Sequence, residues 1–298
     1  MENGKAVNES EIGLKKVNFL TFFWGDKYSD LHVDVLYNAL TAYCDFKFEF
    51  HVLTDRSLDV NPEIRQWELW HDHEMEGRCW RRLRAFEYET MQFIPHYFAL
   101  DIDILLTPRF NQLVRRVYSN ELTLCRSENP KYPHNPYSGT MWQVGSLKAA
   151  DEFVWQPFCR MKQTAKYIPL YRMANYLRRC GYNGSDSAVL GYCLQNNSFP
   201  SIGAADGIYS YPNHIQASKL TELPPNTTAV LFHGCTNDFL RVDVAVKYEF
   251  VNDYLKKFCT FPGKEVTIEA VAGKYFSEQE INAEFLDHLR GFGREILQ

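Results

Sequence analysis

The sequence predicts an α/β fold, a largely parallel sheet wrapped by helices. Three observations carry this: short β-branched and aromatic runs alternate with segments of helical spacing, their order reads β-α-β-β-α-β, and the loops between them are short. A chain of 298 residues with 45% hydrophobic content can bury the core such a sheet requires.

Val17 to Trp24 is the first strand, ended by Gly25-Asp26-Lys27. Leu31, Val35, Leu36, Ala39, Leu40 and Tyr43 then recur at helical spacing. Phe46 to Leu53 forms a second strand closing on Thr54-Asp55, and Gln66 to Trp70 a third. Trp80, Leu83, Phe86, Glu87 and Thr90 fit a helix, and Tyr97 to Leu100 is the next strand. Leu122 to Cys125 and Thr140 to Val144 read as further strands, separated by the Pro- and Asn-rich stretch Asn129 to Ser138, a substrate loop. Helices are expected over Ala149 to Thr164, Tyr171 to Cys180 and Ser187 to Cys193, and a short strand over Ala229 to Phe232 leads into His233-Gly234. Residues 246–298 read as a helical C-terminal extension packed on the domain formed by 1–245, with an amphipathic helix over Glu278 to Leu297.

The net charge of −5 argues against a nucleic-acid partner. Eight cysteines are scattered with no Cys-x-x-Cys pair and read as reduced thiols. Met1 to Lys16 is polar, and no later stretch reaches the roughly 18 apolar residues of a membrane span, so a soluble, cytoplasmic chain without a transmembrane segment is expected. Sequons such as Asn183-Gly184-Ser185 then carry little weight.

Chemistry concentrates in His96-Tyr97-Phe98-Ala99-Leu100-Asp101-Ile102-Asp103-Ile104-Leu105-Leu106. A strand has period two, so Asp101 and Asp103 point to one side, where two carboxylates repel unless a cation lies between them. Mg2+ and Mn2+ prefer such oxygen ligands and commonly link carboxylates to substrate phosphates. Neither a Gly-x-x-x-x-Gly-Lys-Ser/Thr loop nor a Gly-x-Gly-x-x-Gly turn occurs, so phosphate binding would need a metal instead. In open α/β sheets ligands bind outside the carboxyl ends of strands, where Trp24-Gly25, Thr54-Asp55 and Asp101/Asp103 all fall. His71-Asp72-His73-Glu74 has no second ligand pair at zinc spacing and reads as an exposed polar loop.

Over about residues 17 to 240 the ordered patterns resemble nucleotide-sugar glycosyltransferases of the GT-A fold, in the manner of the family-eight-like enzymes. Phe98-Ala99-Leu100-Asp101-Ile102-Asp103-Ile104-Leu105 looks like that family's strand ending in Asp-x-Asp. Tyr137-Ser138-Gly139-Thr140-Met141-Trp142 is similar to its Phe-Asn-Ser-Gly-Val-Met segment along the donor sugar, with Tyr137 in place of the Asn. Gly184-Ser185-Asp186-Ser187-Ala188-Val189-Leu190 resembles its Asp-Gln-Asp segment, with Ser187 in place of the Gln. Leu231-Phe232-His233-Gly234 is similar to the strand carrying the third metal ligand, but the usual Lys-Pro-Trp after it is replaced by Asn237-Asp238-Phe239.

The resemblance implies a Rossmann-like mixed, mainly parallel sheet and a metal-dependent enzyme moving a sugar from a nucleoside diphosphate, UDP by preference, to a hydroxyl of a glycan or glycoconjugate. Mn2+ or Mg2+ would sit on Asp101, Asp103 and His233. The nucleoside would lie against Thr21, Phe22, Trp24 and Tyr28, with Asp55 at the base. Of Arg78, Arg81, Arg82 and Arg84, the expected diphosphate contacts are Arg81 and Arg84. Ser138 and Gly139 would meet the donor sugar, and Asp186 would stand beside the anomeric carbon, its other reading being an N-cap for a helix starting at Ser187. A carboxylate there could act as the base of an inverting reaction or stabilise the transition state of a retaining one. A sugar-nucleotide hydrolase, a nucleotidyltransferase and a non-catalytic binder of the same fold are the alternatives. A chain peripheral to a membrane that carries the acceptor also fits.

Overall fold

The computed structural model describes residues 14, 16–70, 79–127, 132, 135–164, 175, 177–182, 185–195, 197–233, 239–240, 244 and 247–259. The His71 to Glu74 loop, most of Tyr171 to Cys180 and the helix expected over Glu278 to Leu297 lie outside them.

A seven-stranded sheet runs in the order β3-β2-β1-β4-β7-β6-β8. Its strands are β1 Val17–Phe23, β2 Phe48–Thr54, β3 Arg65–Glu68, β4 Tyr97–Leu100, β6 Leu122–Arg126, β7 Tyr137–Val144 and β8 Ser201–Ile202. β1, β2, β3 and β4 pair in parallel, β7 runs antiparallel to both β4 and β6, and β8 returns parallel to β6. The sheet is thus mixed and mostly parallel. A second, three-stranded sheet joins β5 Ile104–Leu106, β9 Ile208–Ser210 and β10 Ala229–Leu231.

β1 reads as an almost unbroken apolar run because it is covered on both faces. Phe19 and Phe98 enter one core cluster, while their neighbours Leu20 and Ala99 enter the other, as a period of two requires. The first cluster packs under α1 Asp30–Tyr43, α2 Phe110–Val117 and the C-terminal α5 Glu249–Phe258. The second packs under a 3₁₀ helix over Cys79–Phe86, the helical run α3 at 147–164 and α4 Asp186–Leu194.

Several elements differ from the sequence reading. The third strand lies at Arg65–Glu68, earlier than expected, because its register with His51 to Thr54 sets its ends. The segment around Trp80 is a 3₁₀ helix rather than an α-helix, and α3 carries a π turn over Asp151–Trp155. The short strands β5, β8 and β9, helix α2 and a π turn over Tyr211–Gln216 were not read, being too brief or too mixed to show a period.

Candidate active site

β4, β6 and β8 point their carboxyl ends, and antiparallel β7 its amino end, toward one rim. Here a cavity of about 410 Å³ opens, within the range of small-ligand sites.

Asp101 leaves β4 with its N–H on the Thr140 carbonyl, 2.7 Å away, which ties the acidic segment to β7. The Asp103 carbonyl accepts from the Phe232 N–H at 3.1 Å, which ties it to the end of β10. Asp103 is 1% exposed, and its carboxylate accepts from the Tyr28 hydroxyl at 2.7 Å; Lys27 Nζ donates to the same hydroxyl at 2.5 Å.

Arg82 is the centre of the site. Its Nε donates to Asp186 Oδ2 at 2.5 Å, and its Nη1 lies 3.3 Å from Asp101 Oδ1. Burial works against the guanidinium charge, yet the Asp186 and Asp101 carboxylates outweigh it and hold its pKa above the ordinary arginine value. Cys79, one 3₁₀ turn before Arg82, lines the same cavity, and its sulfur accepts from the Asp186 N–H at 3.4 Å. Burial, with the Asp186 carboxylate adding to it, pushes this thiol up to about 12, so it stays protonated.

Asp186 opens α4 as its first residue, and Ser185 is the N-cap, so the helix-cap reading belongs to Ser185. A Cβ at position 139 would stand 2.1 Å from Asp186 Oδ2: only glycine lets the carboxylate lie against β7. The Gly139 N–H donates to the Ser187 hydroxyl at 2.9 Å, which pins the start of α4 to the same strand.

No family model and no curated protein matches the sequence. Solved structures do. The galactosyltransferase LgtC in complex with donor and acceptor sugar analogues aligns with a TM-score of 0.55 at 12% identity, covering 83% of this chain and 98% of that one. An active-site mutant of LgtC aligns at 0.54 and 14% identity over the same shares. The glycosyltransferase GlyE of Streptococcus pneumoniae TIGR4 aligns at 0.52 and 11% identity, over 84% of this chain and 66% of that one.

The chain has the GT-A glycosyltransferase fold. At such identities the likeness concerns the path of the backbone, and the chemistry must be read from this chain's own residues.

Within this GT-A frame, Asp101, Asp103, Ser138, Asp186 and His233 line the common cavity. Tyr28 reaches it through Asp103, and Gly139 backs Asp186. Thr21 is fully buried and donates to the Leu100 carbonyl at 2.9 Å. Phe22 packs against Trp142 and Trp24 in the core. Asp55 accepts from the Gly25 N–H at 3.0 Å, where φ is +65°, and so holds the loop after β1. Of the arginines of this segment Arg82 lines the cavity, whereas Arg81 and Arg84 are not on its lining and Arg84 pairs with Glu87 at 2.9 Å. Sequence reading did not single out Arg126 or His214 on the cavity lining, and named Lys27 only as part of the loop after β1. Cys79 and Arg82, three residues apart, were the available signal, but it shows only on a three-residue turn.

His233 stands exposed at the end of β10 in the left-handed region, φ +56°, an unusual conformation for a non-glycine residue that clusters at functional sites. The crowded cleft lowers its imidazole below the ordinary histidine value; Asp101 opposes this, while His214, Lys27 and Arg82 reinforce it. A neutral imidazole is the form that binds metals. Two hard carboxylates and this imidazole suit Mn2+ or Mg2+, although among the described residues no three His, Cys, Asp or Glu side chains already close around one point. No helix among the described residues is long and apolar enough to cross a membrane.

Proposed function

We propose that the chain is a metal-dependent glycosyltransferase that moves a sugar from a nucleoside diphosphate, UDP by preference, to a hydroxyl of a glycan or glycoconjugate. The observation that carries this is the Arg82 bridge: one buried guanidinium joins Asp101 of the acidic strand end to Asp186, in a single cavity of a GT-A fold. The expected metal side and the expected reacting side are thereby held in fixed relation.

In this reading Asp101, Asp103 and His233 would hold Mn2+ or Mg2+, which supplies Lewis-acid stabilisation of the diphosphate leaving group. Lys27 adds a positive charge beside Asp103 and stands in for the lysine missing after His233. Asp186 faces the anomeric carbon, oriented by Arg82 and Gly139. Asp55 serves the nucleoside indirectly, by shaping the Gly25 loop.

The test is a nucleotide-sugar screen by thermal shift with and without Mn2+, followed by nucleotide release from the donor that raises the melting temperature. UDP-sugars are expected to stabilise the protein only when metal is present, and Asp103→Asn to remove that dependence. Equal stabilisation of parent and variant, with and without metal, would refute the metal assignment; binding without turnover or transfer would reduce the chain to a binding protein.

A further inference from the structure

The cavity extends past the Arg82 bridge toward β6 and β8, and its lining there differs in kind. In the sheet order β4-β7-β6, β6 lies two places from the strand that delivers Asp101, about 10 Å across at the usual strand spacing. Arg126 ends β6 and lines this part of the cavity. It is exposed, and its Nε donates to the Ser201 hydroxyl at 2.8 Å, which fixes the plane of the guanidinium. Among the described residues no carboxylate pairs with it. Of the other cations of the cavity, Arg82 is paired with Asp186 and Asp101, and Lys27 stands beside Asp103 through the Tyr28 hydroxyl. Ser127, next in sequence, and Asn213, elsewhere on the cavity lining, are polar and uncharged.

A planar, permanently charged fork without a counter-charge, held at one end by a neutral hydroxyl, suits a carboxylate or phosphate. The donor diphosphate does not answer to it, because the metal-side groups Asp101, Asp103 and Lys27 lie across β7 from it. Building on the glycosyltransferase reading, we propose that Arg126 reads a negative charge on the acceptor, a carboxylate or phosphate carried by the sugar that enters from the β6 and β8 side. The residue thus sets acceptor specificity, and Ser201 is its positioning partner.

The test keeps the donor site filled. Protein saturated with UDP and Mn2+ is titrated with methyl β-glucuronide, glucose 6-phosphate and methyl β-glucoside, and binding is followed by ligand-observed NMR. At least one anionic sugar should bind about 10-fold or more tightly than the neutral glucoside, since hydrogen bonds to charged groups carry that much. Arg126→Ala should abolish the preference and Arg126→Lys retain part of it; Ser201→Ala should weaken it. The glucuronide arm against the phosphate arm distinguishes a uronate-bearing from a phosphorylated acceptor. If UDP and Mn2+ give no thermal shift, the glycosyltransferase reading falls and takes this inference with it. If they bind but charged and neutral sugars bind alike, or none binds, or the preference survives Arg126→Ala, the inference alone is overturned.

Discussion

The cavity rim and the outer edge of the sheet both bury ionisable groups, and they treat charge in opposite ways. At the rim Arg82 and Asp186 remain a charged pair, with Asp186 only 2% exposed. At the edge, His51 on β2 is equally buried, but Trp67 Nε1 donates to its Nδ1 at 3.0 Å and burial depresses its pKa to about 4, so it stays neutral. Glu49 pulls the other way, but its carboxylate lies 3.7 Å off and also faces Lys16 and Arg65. The difference is one of balance: two carboxylates in direct contact outweigh the desolvation of Arg82, whereas the more distant Glu49 does not outweigh that of His51. The place where charges are kept at the cost of desolvation is therefore the place to seek function.

The strongest way to break this comparison is Arg82→Ala. It strands Asp186 and leaves Asp101 without its guanidinium, so stability should fall by about 3 to 5 kcal/mol, as when one partner of a buried ion pair is removed. Turnover should fall with it, and denaturant unfolding beside donor turnover reads both. A variant as stable and active as the parent would make the bridge incidental.

Asp186→Asn keeps the shape and leaves the Ser185 cap untouched. If the carboxylate acts in the transition state, turnover drops roughly 10²-fold or more while donor affinity holds. Near-normal turnover in the donor-saturated variant would strike Asp186 from the reacting groups.

The edge predicts a pH effect of known sign. With the folded pKa of His51 depressed to about 4, the unfolded chain takes up the proton first as pH falls, so stability is complete above about 6.5 and declines through the window down to about 4. The loss should be on the order of 2 to 3 kcal/mol at the acid end. His51→Gln should remove this loss from the variant, so that the parent-minus-variant stability difference falls by that amount between pH 7 and pH 4. A difference independent of pH would show that His51 is not the group responsible.

Tyr28→Phe is the mildest probe, removing one hydroxyl from Asp103. A hydrogen bond to a carboxylate carries about 1.5 kcal/mol, so affinity for UDP with Mn2+ should fall about tenfold, by calorimetry. An effect as large as that of Asp103→Asn would place Tyr28 on the ligand itself.

Much of the first half was legible in the sequence. β1, β2 and β4 are long enough to display β-branched and aromatic runs, and they sit where such runs belong, buried on both faces. Asp101 and Asp103 were visible as an acidic pair closing an apolar run, but the single strand expected there is broken: they lie in the bend between β4 and β5, which belong to different sheets, so a period of two does not set their directions. Arg82 was not separable from Arg81 and Arg84, since one helical segment presents all three and only its 3₁₀ winding decides which faces Asp186. Asp55 was read at the end of β2 as a contact to the base, and its carboxylate accepts from the Gly25 N–H, a pairing the sequence does not display.

By itself, then, the sequence determined the alternating α/β order and the acidic pair that follows an apolar strand, because these depend on local period and neighbour identity. Tertiary structure decided what depends on approach between distant segments: the antiparallel insertion of β7, the contact of Gly139 with Asp186 across 47 residues of chain, and the choice of Arg82 over its neighbours. The physical reason is that a carboxylate, a guanidinium and a missing Cβ meet only when strand register brings them together, and register is set by burial of whole faces rather than by any one motif.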